Sequence, residues 1–369
     1  DAQSELRWVA VDTAVQNRPM TLHIRRVGGQ KLCELAAGSA GLIVRFTGQE
    51  IDIYDPAGCD SLKQQRDLLV SEAMVVWRRL FLRLPRDDRI GQGHFTMALL
   101  QECSGDVTGA IGQYRTMAKK FANARLAPDA LLAGAKLRIA LRDFSGARKE
   151  LLTLLDTYPG SSKSAETYAS LGEATLNAGR ADEAFAVFKK LFFLNHDNES
   201  KRLASFGAGK CLYQQGEYEK ALKWLGDHIT FTKKDQRGDL SRAYLLLGKC
   251  YAALGSPRQA IASYKAVLAT RPSEAQRIET SLALAGAWRD GGDLPKALGA
   301  SLQVVAEVPS GAKKYQAMLI TSGIYREMGL PNRGAVFINS NINEVRDRDM
   351  RAKLRIDQAR CYRDAKRFA

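Results

Sequence analysis

The sequence predicts a mainly α-helical chain: a stack of about eight antiparallel helix pairs behind a small N-terminal β module. Three observations predict it. Small residues recur at a step of 37 across residues 98–359, with one step of 39. A second small column follows each of the first seven markers by twelve residues, and glycine falls between the two in most units. The first 60 residues instead alternate with a period of two.

The first column reads Ala98, Ala135, Gly172, Gly209, Gly248, Ala285, Ser322 and Ala359. The second reads Ala110, Ala147, Ala184, Ala221, Ala260, Ala297 and Gly334. A small residue on each of two helices lets the axes approach, with larger side chains filling the grooves. Between them stand Gly105, Gly179, Gly216, Gly255, Gly292 and Gly329, with Arg142 and Lys366 the exceptions. Glycine there suits the left-handed residue that ends a helix. Four residues after the second column come Tyr114, Leu151, Phe188, Leu225, Tyr264 and Ile338, with Ser301 out of pattern. Pro159, Pro272 and Pro309 share one later phase, where a helix stops.

The segment Tyr244–Pro272, "YLLLGKCYAALGSPRQAIASYKAVLATRP", resembles a tetratricopeptide repeat. The resemblance covers residues 91–369 and implies a right-handed α-solenoid. Two departures stand out. The period is 37 rather than about 34, and Leu191, Val267 and Val304 stand where a small residue is usual. The longer period resembles that of bacterial cell-envelope proteins of the class. It implies a periplasmic or other envelope location, with the cytoplasm as the alternative. The eighth unit stops at Ala369, about where its second helix would begin. The expectation is a truncated last repeat with further domains beyond, against a last helix that caps the array alone.

Residues 1–60 read as a small β module, either an SH3-like barrel or an open sheet. Met20, Leu22 and Ile24 alternate with polar residues, "QKLCEL" follows a Gly28-Gly29 turn, and "GLIVRFTGQEIDIYD" reads as a hairpin about Gly48-Gln49. Residues 61–90 form a linker, helical over 61–84, with Leu69, Ala73, Val76, Leu80 and Leu84 as its apolar face. That face is expected to pack on the first repeat. The array occupies 91–369.

Net charge is +15, with residues 1–90 at +1 and the rest at +14. Such an excess favours acidic partners. No run of eighteen apolar residues occurs, so no transmembrane helix is expected. No catalytic, metal or cofactor motif emerges, and the expectation is a non-catalytic chain without cofactor. "SFGAGKC" (205–211) lacks the first Gly and the Ser or Thr of a phosphate loop and falls in mid-helix. His23, His94, His196 and His228 lack metal-ligand spacing and read as surface residues. Cys211, Cys250 and Cys361 share one column and read as small core residues. Cys33 and Cys59 are placed to pair only in an oxidising compartment.

In the resembled family the first helices line a concave groove. Residues three before, one after and four after each marker would face it. Those columns supply Phe206, Leu245, Leu282 and Leu319 as an apolar stripe, and Lys210, Tyr213, Lys249, Arg289 and Arg326 beside it. The expected occupant is an acidic protein segment with apolar anchors. The competing reading has the apolar column packed between units and the cations merely solvated. An RNA-binding array is the alternative function, but base-reading repeats need varied polar residues where this column is apolar, so nucleic acid is disfavoured.

Overall fold

The computed structural model describes residues 28–47, 50–194, 197–233 and 235–368. Contacts divide the chain into two units, Asp1–Asp143 and Phe144–Ala369.

The first unit opens with helix α1 (Gly29–Ser39), then strands β1 (Ile43–Thr47) and β2 (Glu50–Tyr54). The strands pair antiparallel from Ile43↔Tyr54 to Thr47↔Glu50, while the expected turn at Gly48-Gln49 lies outside the described residues. The stretch "QKLCEL" is helical within α1 and not a strand. The expected strands around Met20–Ile24 and in "LRWVAV" lie outside the described residues. Helix α2 (Leu62–Arg83) starts where Ser61 accepts a hydrogen bond from Gln64 N–H. Its expected face is only partly covered: Ala73 and Leu80 are half-buried. Leu69 and Val76 are exposed, whereas Trp77 and Phe81 lie against Gly93 so closely that a Cβ there would sit 2.7 and 2.6 Å from them. The aromatic pair is bulkier than the aliphatic row and takes the neighbour. Glu72 and Arg79 bind Arg45 of β1 and Glu34 of α1. Helices α3 (Ile90–Ser104), α4 (Val107–Lys120) and α5 (Ala127–Ala140) complete this unit. His94 is not a free surface residue. It stacks on Phe81 at 4.5 Å between centroids and meets Gln113 at 2.7 Å.

The second unit is a run of α-helices. They are α6 (Phe144–Thr157), α7 (Ser164–Asn177), α8 (Ala181–Leu194), α9 (Asn198–Gln214), α10 (Tyr218–Phe231) and α11 (Arg237–Ala253). There follow α12 (Pro257–Ala269), α13 (Glu274–Asp290), α14 (Leu294–Glu307), α15 (Ala312–Glu327), α16 (Pro331–Asn341) and α17 (Arg348–Phe368). From α6 on, each packs on the next, and first helices also touch the first helices of adjacent units (α7 on α9, α13 on α15, α15 on α17). Asp197, Ser273 and Asp293 cap α9, α13 and α14.

The repeat columns become contacts. Gly172, Gly209 and Gly248 each face the bulky residue sixteen positions later, Phe188, Leu225 and Tyr264. A Cβ on Gly209 would sit 2.8 Å from Leu225 Cγ. Every alanine of the second column is fully buried. The six column glycines have φ between 65° and 84°, and Arg142 takes the same left-handed turn at 61°. Ala359 differs from the other markers in being exposed.

Candidate functional site

Helices α9, α11, α13 and α15 carry the nine residues that the sequence singles out. The structure divides them into two groups. The apolar column is largely consumed by the array. Leu245 and Leu282 are buried at 9% and 4% exposure. Leu245 packs with Tyr264, Val267 and Leu284, and Leu282 with Val304, Met318 and their neighbours. Leu319 is half-buried against the latter cluster. A leucine at this phase is therefore held between successive units. Phe206 is half-buried, its ring 5.1 Å from that of His228, with the Arg242 guanidinium over it at 5.6 Å.

Three of the predicted cations are neither free nor simply solvated. Lys249 Nζ donates to Glu279 Oε1 at 2.6 Å. Arg326 Nε donates to Asp364 Oδ2 at 2.7 Å and its guanidinium lies 3.6 Å from Asp357. Arg289 lies 3.3 Å from Asp290 and 3.9 Å from Glu327. In each case at least one carboxylate belongs to the next first helix. Arg202 likewise joins Glu199 to Asp239. The positive residues thus stitch unit to unit, which lowers the charge available to a partner. Burial works against the Arg326 charge, yet its carboxylate neighbours win and raise the guanidinium pKa further.

These ion pairs left a signal. The partners are 30 to 38 residues apart, close to one repeat period, so opposite charges at that separation foretell them. Lys210 forms no ion pair among the described residues. It lies on one stripe of α9 with Phe206 and Tyr213, four and three residues away. Tyr213 is half-buried, its ring 5.6 Å from that of Tyr218. The arrangement offers an amine, a phenol and an aromatic face on one helix.

His228 is buried at 2% exposure, so its expected place on the surface is overturned. Its Nδ1 lies 2.8 Å from the Arg202 carbonyl, and burial lowers its pKa. Cys211, Cys250 and Cys361 are buried free thiols. Burial pushes Cys211 up to about 12 and Cys250 to about 11, which keeps them unreactive. The "SFGAGKC" stretch lies inside α9, as a phosphate loop could not. Among the described residues no cluster of three metal-binding side chains occurs, and no helix is long and apolar enough to cross a membrane.

Comparison with known proteins bears on the fold. Tetratricopeptide-repeat profiles match residues 132–192, 172–236 and 241–274. No curated protein matches the chain in sequence. Solved structures do match. A tetratricopeptide repeat protein from Parabacteroides merdae ATCC 43184 is 12% identical, with a TM-score of 0.51 over 73% of this chain and 98% of that one. The C-terminal part of a repeat-containing protein from Cytophaga hutchinsonii is 16% identical, with a TM-score of 0.51 over 69% and 97%. PilW, described as a type IV pilus biogenesis factor, is 17% identical, with a TM-score of 0.51 over 62% and 98%. At these identities the likeness is one of fold.

Proposed function

We propose that this tetratricopeptide-repeat protein is a non-catalytic scaffold that holds a protein segment on the face of its first helices, within a bacterial envelope assembly. The repeats themselves support a role in protein–protein interaction. The observation that carries the finer reading is the stripe Phe206–Lys210–Tyr213 on α9, where the amine has no carboxylate partner among the described residues. The segment it suits has an apolar anchor and an acidic flank. The envelope setting draws on the long repeat period and on the likeness to PilW. Pairing of Lys249, Arg289 and Arg326 within the array counts against an RNA-binding reading, which needs many free cations.

Charge reversal tests the site. Lys210→Glu should weaken binding of an acidic, phenylalanine-bearing peptide about tenfold, without changing the thermal midpoint. Equal affinity of the variant and the parent would remove Lys210 from the site. Tight binding of a generic RNA at moderate salt would replace the reading altogether.

A further inference from the structure

The second helices carry a different surface. Phe185, Phe192, Trp224 and Phe231 form a row of edge-packed rings across α8 and α10, at centroid distances of 5.1 to 6.1 Å. At its end Phe193 and Leu194 stand out at 64% and 52% exposure. The repeat provides the comparison. At the phase of Phe193, other units place Lys119, Asp156, Thr230, Ala269 and Ala306, all solvent-facing and none large and apolar. Stacking does not require the phenylalanine, so its exposure is particular to this unit.

The surroundings are basic. Lys189 and Lys190 lie one turn before Phe193 on the same helix. Lys201 Nζ sits over the Phe231 ring at 5.6 Å, and Lys190 Nζ over Tyr168 at 5.2 Å. Of the nearby acids, Asp197 is occupied in capping α9 and Glu199 in holding Arg202. Apolar rings with lysine stems laid across them match a surface whose charge lies just outside its apolar interior. Anionic lipid has that order: phosphate at the level of the amines and acyl chain at the level of Phe193 and Leu194.

We infer that the ends of α8 and α10, with the first turn of α9, form a docking patch for an anionic bilayer surface, with Phe193 and Leu194 inserted and Lys189, Lys190 and Lys201 on headgroup phosphates. This patch shares no residue with the Phe206–Lys210–Tyr213 stripe, and the loss of either assignment leaves the other standing.

The test is co-sedimentation of the full chain with vesicles of phosphatidylcholine alone and of phosphatidylcholine with about one-third phosphatidylglycerol. The chain should bind the anionic vesicles, ignore the neutral ones and be released by salt. Phe193→Ser with Leu194→Ser keeps the charge and should weaken binding about tenfold or more. A separate Phe193→Trp chain should show a blue-shifted emission increment on the same vesicles. Absence of binding by the parent chain overturns the inference. So does equal binding by the serine variant, which would mean adsorption by net charge alone. Unshifted emission from the tryptophan variant also overturns it and covers a serine variant that fails to fold.

Discussion

The ring of Phe188 occupies the space that a side chain on Gly172 would need: a Cβ built on Gly172 would sit 2.5 Å from Phe188 Cζ. The same fit recurs between Gly209 and Leu225 one unit later. The smallness of the first column is therefore a packing requirement, met sixteen residues on by a large partner.

Overpacking this contact should destabilise the chain. Gly209→Leu is expected to cost about 1–3 kcal/mol or more, read from urea unfolding. Gly226 supplies the control, because it is exposed on α10 with nothing within 4 Å of its would-be Cβ. Gly226→Ala should stabilise by about 0.5–1 kcal/mol through helix propensity. Similar effects at both positions would deny that the column is set by contact.

The turn column offers a second test. Gly179 has φ +79° and open space around it, so Gly179→Ala meets backbone strain alone and should cost about 1 kcal/mol. Arg142 holds the same conformation with a Cβ. Arg142→Gly should relieve that strain and raise the unfolding midpoint, partly offset by the entropy of the unfolded glycine.

Acid sensitivity near neutrality should trace to His228. Burial lowers its pKa in the folded chain. The unfolded chain binds the proton near about 6.5. As pH falls through that value, the unfolded state takes up the proton first, so stability declines with falling pH. The elements around the ring present the Arg202 carbonyl and guanidinium, Asp239 and the Thr232 hydroxyl. Urea midpoints compared at about pH 7.5 and about pH 5.5 should differ in the parent chain and converge in His228→Asn. An unchanged difference in the variant would assign the titration elsewhere.

The small columns and the left-handed turns could be read from the sequence because one contact is repeated in register, and no single hairpin has to bear the argument. Arg142 shows that phase outweighs residue type at a turn. Isolated elements were less legible. "QKLCEL" contains too few apolar residues to separate a strand from a helix, and α2 packs half-buried Trp77 and Phe81 against Gly93 where aliphatic spacing pointed to Leu69 and Val76. For the candidate site, the columns placed the nine residues on four first helices but not the use each residue serves. Leu245 and Leu282 entered the core, and Lys249, Arg289 and Arg326 joined carboxylates of the following unit. Such partners sit about a period away, where a single-repeat pattern does not look.

The scaffold reading is tested most directly by photocrosslinking. A benzophenone amino acid is placed in turn at Tyr213 on a first helix and at exposed Ala262 on α12, a second helix. Each chain is illuminated in an envelope extract. The account predicts a discrete protein adduct from position 213 that is lost with Lys210→Glu, and none from position 262. Adducts from position 262 alone, or from both positions regardless of Lys210, would contradict it.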